Sequence, residues 1–238
     1  MPAVGKRVAI LQSNYIPWKG YFDIIAAVDE FILYDQCQYT KNDWRNRNKI
    51  KTAAGVQWLT IPVFHRLGQR IEQTVISDPT WARWHWNALV ANYAKAEFFA
   101  VHRGLFHYLY SGLAREKLLS VVNYRFLSAI CSLLGIRTKI TSSRDYPVEG
   151  NATERIVGIC EAAGATEYLS GPSAKDYIDE SCFERAGIKL TYANYDGYPE
   201  YRQLFGPFRH DVSVIDLIFN EGPRAPEFMK SFKEALCL

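Results

Sequence analysis

The sequence predicts an α/β protein built around a mainly parallel sheet, and three observations point there. Arg7-Val-Ala-Ile-Leu-Gln12 carries the unbroken apolar run of a strand buried on both faces. An apolar-periodic stretch follows from Tyr21 to Val28, and Glu30-Phe-Ile-Leu-Tyr-Asp35 comes directly after it as a second strand. Strand, helix and strand in immediate succession form a crossover unit whose two strands run parallel.

The remaining elements follow in order. Residues 36–54 are polar and basic, and Val56-Gln-Trp-Leu-Thr-Ile-Pro-Val63 reads as a strand, with a short one expected over 71–77. From Trp81 to about Leu134 the pattern is helical, with breaks expected near Glu97 and Ser120. Ile136–Thr141 is a strand after the Gly135 stop. Asn151-Ala-Thr-Glu-Arg155 is a helix start, with Asn at the cap and a carboxylate close behind. That helix ends at Ala163-Gly164, and Glu167-Tyr-Leu-Ser170 is a strand entering the Gly171-Pro172 turn. Ile188–Asn194 is the last strand; Ser213–Asn220 and Pro226–Leu236 are closing helices. No repeat or linker interrupts residues 1–238, so one domain with a helical insertion over approximately 80–135 is expected.

Composition excludes several classes. At 238 residues, 48% hydrophobic and 22% charged, the chain can bury a core and is not disordered. No apolar run approaches the roughly 20 residues that cross a bilayer. The first residues reach polar Gln12 too soon for a signal peptide, so a cytoplasmic location without a membrane span is expected. Five widely spaced cysteines without a CxxC argue against a disulfide framework or a zinc site, and no metal site is expected. A net charge of +3 is too small for a dedicated DNA binder. The aromatic load of 15 Tyr, 13 Phe and 6 Trp points instead to a ligand pocket where rings have polar company.

Four constellations could carry chemistry. The first is the loop Gln12-Ser-Asn-Tyr-Ile-Pro-Trp-Lys-Gly-Tyr-Phe22, which leaves strand one where open α/β sheets bind ligands. Gln12 and Asn14 can hydrogen-bond a ligand, Tyr15, Trp18 and Tyr21 can stack on a base or sugar, and Gly20 lets backbone approach it. The second runs from Asp35 to Lys51. In an extended chain Arg45, Arg47, Lys49 and Lys51 share one face and Asn46 and Asn48 the other, an arrangement suited to phosphate. Asp35, at the end of strand two, can accept from a ribose hydroxyl, bind a metal or act as a base. A solvated edge strand and RNA are the competing readings of the basic run, and aromatic interleaving is too sparse to favour RNA. The third is Trp81-Ala-Arg-Trp-His-Trp86. His85 lies on a stripe with Trp81 and Leu89, more often the place of a core histidine, yet it is the preferred acid/base candidate of the five. The fourth is Tyr168–Asp179, where Ser170, Gly171, Ser173 and Lys175 could hold an anion at a helix start. It contains no GxSxG elbow, and the chain has neither a Walker A loop nor a GxGxxG.

These segments together resemble the WbqC-like family over nearly the whole chain. The resemblance is carried by Gln12–Phe22, Asp43–Lys51, Trp58–Val63, Tyr168–Gly171 and Ser213–Asn220. Ser13 departs from the family pattern, which usually has Pro after the Gln. The resemblance implies a role among bacterial O-antigen and surface-polysaccharide genes and an amide-forming decoration of an amino sugar, glycine transfer being one form. Trp18-Lys-Gly20-Tyr21 also occupies the place of the HxGH motif of nucleotidyltransferase-type, HUP-like Rossmann domains, keeping the Gly and lacking both histidines. By that analogy the fold is Rossmann-like.

Three functions are therefore expected, in this order. The first is a transferase forming an amide (acyl or aminoacyl) on an amino sugar or its nucleotide-linked form, with Arg45, Arg47 and Lys49 on phosphates and Asp35 or His85 as base. The alternative is an ATP-dependent adenylating enzyme or nucleotidyltransferase, with Arg45, Arg47 and Lys175 on pyrophosphate and Mg²⁺ at Asp35. The third is a non-catalytic sugar-nucleotide or RNA-binding protein.

Overall fold

The structure is a computed structural model and describes residues 5–232. Five strands, β1 (Arg7–Leu11), β2 (Glu30–Leu33), β5 (Lys139–Ser142), β6 (Glu167–Ser170) and β7 (Lys189–Tyr192), form one sheet in the order β5-β2-β1-β6-β7. Every neighbouring pair is parallel, with Val8 opposite Glu30, Arg7 opposite Glu167 and Glu30 opposite Lys139. The chain runs outward from β1 through β2 to β5, then returns to the other side of β1 for β6 and β7. The order therefore reverses between β1 and β6, the switch point at which Rossmann-like sheets open a crevice at their carboxyl edge.

Both faces of the sheet are covered, as unbroken apolar strands require. Ala9, Phe31, Leu33 and Leu169 face a large core shared with α1 (Lys19–Ala26), α2 (Trp81–Tyr93), α3 (Phe99–Leu113), α4 (Leu119–Leu134) and α7 (Val214–Glu221). Val8, Ile10, Ile32 and Tyr168 face a second cluster under α5 (Ala152–Ala162) and α6 (Glu180–Arg185). At the amino edge, buried Glu30 binds Lys6 at 2.7 Å and Lys139 at 3.1 Å, and accepts from Tyr146 and Thr141. Burial opposes its charge, yet these bonds hold the carboxyl down to about 2. One carboxylate thus ties three strand ends together.

The expected helical region resolves into α2, α3 and α4, with breaks at residues 94–98 and 114–118, close to those anticipated. Asn151 caps α5 as expected, its Oδ1 accepting from the Glu154 N–H at 3.0 Å while the Glu154 carboxylate accepts from the Asn151 N–H. Three expectations need correction. Residues 71–77 are not a strand: Ile71–Gln73 is a 3₁₀ turn fastened by the Gln73 side chain to the Arg70 N–H, and only isolated bridges follow at Val75 and Ile76. A further strand, β3 (Arg47–Thr52), pairs antiparallel with β4 (Gly55–Thr60) as a hairpin separate from the main sheet. The helix expected over Pro226–Leu236 opens instead as the 3₁₀ helix Gly222–Phe228, since Pro226 has no N–H for an α-helical ladder; α-helix appears at Ser231 and Phe232, and residues 233–236 lie outside the described residues. No helix among the described residues is long and apolar enough to cross a membrane.

Candidate functional site at the carboxyl edge

The loop between β1 and α1 is held from four sides. Tyr15 N–H donates to the Trp44 carbonyl at 3.0 Å, and Val214 N–H donates to the Pro17 carbonyl at 2.9 Å. The Asn48 amide donates to the carbonyls of Tyr15 and Ile16 at 3.2 and 2.9 Å. Ser13 Oγ accepts from Asn123 at 3.1 Å. These restraints hold Ile16 at φ +38°, in the left-handed region that a β-branched residue avoids. Strain of this kind persists only where surroundings over-determine it. The loop is fixed.

That loop presents Gln12, Asn14 and Trp18, all half-buried, at the carboxyl end of β1. Arg45 comes across from the segment before β3 and donates to both Asn14 Oδ1 and Gln12 Oε1, with Asp43 3.6 Å away. Its Nε is buried without an acceptor. Asp35, just beyond β2, accepts the Ser13 N–H at 2.8 Å. Burial pushes the Asp35 carboxyl up, and Glu72 adds to this, while the Ser13 bonds and Arg45 act against it. A guanidinium, two amides and a carboxylate of raised basicity thus meet at the end of β1, the chemistry needed to hold an anion and accept a proton. Across the switch point, Trp18 stands edge-on to Tyr195 with ring centroids at 4.8 Å, and Gly171 lies beside the Tyr195 hydroxyl.

Several expected site residues lie elsewhere. Tyr15 and Tyr21 do not offer faces for stacking. Tyr15 is fully buried, bonded through its hydroxyl to His85 and Tyr110 at 2.8 Å each. Tyr21 is buried in the core and donates to the Gln12 carbonyl at 2.7 Å. His85 is sealed beneath the loop, its Nδ1 facing the Tyr15 hydroxyl and its Nε2 facing the Thr60 carbonyl at 3.2 Å. Desolvation pushes its pKa down to about 4, with the Thr60 bond acting against that shift. His85 is a neutral core residue, out of reach of a substrate. Gly20 admits the Trp18 indole rather than a ligand: a Cβ there would lie 2.2 Å from that ring. Asn48 is buried behind the loop as its clamp.

The four-cation face is divided. Arg45 precedes β3 and turns to the β1 edge. Arg47 and Lys49 share the outer hairpin face, Lys49 pairing with Asp211 at 2.7 Å. Lys51 is buried at the far end, reaching the Pro207 carbonyl and Gln203. At β6, Ser170 is buried beside Tyr168, and Pro172–Asp176 is only a five-residue 3₁₀ helix. Ser173 is exposed, and exposed Lys175 lies over the Tyr192 ring at 5.0 Å, so the second anion site is not assembled. The partners that local reading missed are Ser13, Asn123 and Tyr195. A lone Asn inside the apolar run of α4 was the available signal for Asn123. Two surface cavities stand out, one of about 420 Å³ lined by Lys95, Glu97, Arg202, Gln203, Leu204 and Asn220. The other, about 240 Å³, is lined by Asn42, Asp43, Trp44, Arg47, Lys49 and Trp58; neither includes the β1 loop.

The WbqC-like family model matches residues 12–228. The chain belongs to the WbqC-like protein family. A relative from Mycobacterium tuberculosis, the uncharacterized protein Rv1507c, is 50% identical over 227 residues, spanning 94% of this chain and 98% of the relative. No solved structure matches. Segments scattered in sequence meet around one loop. Asn48 and Val214 bind the loop backbone, Ser213 N–H donates to the Lys49 carbonyl at 2.8 Å, and Ile61 N–H donates to the Asn46 carbonyl at 2.7 Å. Those segments form the scaffold that holds Gln12, Asn14 and Arg45 in place.

Proposed function

We propose that this WbqC-family protein is a cytoplasmic transferase that forms an amide on an amino sugar carried by a nucleotide, as surface-polysaccharide synthesis requires. The observation that carries this reading is the Arg45 guanidinium, delivered between Gln12 and Asn14 at the carboxyl end of β1. A planar fork held at a Rossmann-like switch point suits a diphosphate. Trp18 and Tyr195, packed edge-to-face, supply an apolar wall at the same carboxyl edge. In the proposed step the sugar amine attacks the donor carbonyl and the new C–N bond forms. The donor's leaving group departs with its electron pair, and Asp35 accepts the amine proton. Desolvation makes the Asp35 carboxylate the more basic for that task.

The test is incubation with amino-sugar nucleotides and acyl donors, glycine among them, with and without ATP, read by mass spectrometry. A product heavier by one acyl or glycyl group, lost in Asp35→Asn, is expected; no mass shift across the panel contradicts the reading.

The reversal of strand order between β1 and β6 favours a second reading, adenylation or nucleotidyl transfer with ATP. Mg²⁺ arriving with ATP fits here through Asp35 and the phosphates, since Mg²⁺ commonly uses only one or two protein carboxylates. Release of pyrophosphate from ATP separates this reading from the first. Nucleotide binding without turnover of either kind would indicate a binding protein.

A further inference from the structure

The outer face of the β3–β4 hairpin is covered at one end and open at the other. Arg47, Lys49 and Lys51 alternate along it, with Trp58 opposite Lys49. At the Lys51 end, residues 203–207 close over the lysine. Lys49 is neutralised by Asp211, itself held by Arg209 at 2.8 Å. At the Arg47 end, Trp44 and Trp58 are each 40% exposed. Their ring centroids are 5.4 Å apart at 36°, and with Arg47 they border the 240 Å³ cavity.

Two details set Arg47 apart from a solvated edge cation. Its guanidinium lies 4.2 Å over the Trp58 ring, and no carboxylate among the described residues forms an ion pair with it. It donates to the Asn42 carbonyl, and its shielded Nε has no acceptor. A half-buried, stacked guanidinium without an ion-pair partner is a prepared anion receptor.

We propose that this cleft binds an acidic sugar ring, a hexose phosphate or a hexuronate, with the anion on Arg47 and the ring's C–H face in the angle between Trp44 and Trp58. Size and shape decide the ligand class. The volume falls below the roughly 300–1,000 Å³ of pockets for drug-sized ligands, so it holds one ring and its charged substituent rather than a nucleotide-sugar. The indoles touch one another at an angle, so a flat base cannot slide between them. A puckered ring bearing C–H bonds can rest against both. The cleft adjoins the β1 edge through Asp43, which lines it and lies 3.6 Å from Arg45. This inference does not rest on nucleotide binding at that edge.

The test uses the full chain, with glucose 1-phosphate and glucuronate as probes, followed by calorimetry and tryptophan fluorescence. Saturable binding with a fluorescence change is expected for at least one probe, and which one binds names the anion. Arg47→Ala should weaken it on the order of 10- to 100-fold, and Arg47→Lys should recover only part. Trp44→Ala, at an exposed position, should weaken it independently while the melting temperature holds. Glucose or inorganic phosphate alone should bind at least about tenfold more weakly, since each lacks one of the two contacts. Equal binding by wild type and Arg47→Ala would overturn the proposal. So would phosphate binding as tightly as glucose 1-phosphate, or an oligonucleotide or UMP outcompeting both sugars at this cleft. UDP titrated into Arg47→Ala reads the β1 edge separately, so failure of one site is distinguishable from failure of the other.

Discussion

With His85 sealed between Tyr15 and the Thr60 carbonyl, protonating it places a charge among Trp81, Tyr110 and the Tyr15 ring. Its folded pKa is held down to about 4 against an ordinary value of 6.5. The unfolded chain therefore binds the extra proton between those values, and stability falls as pH drops through that window. Linkage makes this share about 2 kcal/mol between pH 7 and pH 5. Denaturant midpoints across that range should fall more steeply for wild type than for His85→Gln; parallel curves would contradict the sealed environment. The Trp81, His85 and Leu89 stripe was legible as a buried face. The acid/base role expected for it does not survive, because the Tyr15 hydroxyl occupies one ring nitrogen, which nothing local shows. Asn48 gives a second residue-scale prediction. Asn48→Ala leaves two buried loop carbonyls without their donor, at a cost of about 1–3 kcal/mol in unfolding free energy. Unchanged stability would mean that the strained Ile16 conformation does not depend on this clamp.

At the scale of elements, α1 begins at Lys19 and places Gly20 in its first turn, under the Trp18 indole. By helix propensity alone Gly20→Ala would gain up to about 1 kcal/mol. The added methyl must instead displace the Trp18 ring away from Tyr195 and Tyr198. We expect a near-unchanged melting temperature, an altered tryptophan emission and weaker UDP binding. Unaltered emission and affinity would show that the ring position does not matter. The basic segment shows how far alternation carries. Period two correctly grouped Arg47 with Lys49, because both lie within β3. It failed for Arg45, which precedes the strand and follows the loop geometry set by the Trp44 carbonyl. It placed Lys51 on that face too, but could not show that a segment some 150 residues further along the chain buries it. Local pattern cannot register either contact.

For the whole molecule, the crossover unit over residues 7–35 was enough to foresee a parallel sheet, and the turn after β6 foretold a second loop at the same edge. The strand order was not legible, because the return from β5 to β6 is a choice of sheet edge made by long-range packing. That choice creates the switch point beside which Gln12, Asn14, Asp35 and Arg45 converge, the proposed site for the phosphates of a nucleotide. Calorimetric titration of UDP into wild type, Arg45→Ala and Arg45→Lys tests it most directly, with melting temperatures measured in parallel. Loss of the guanidinium's charge-assisted contacts should lower affinity on the order of 10- to 100-fold in Arg45→Ala, with partial recovery in Arg45→Lys. If all three folded proteins bind UDP alike, or none binds it, the edge is not the nucleotide site.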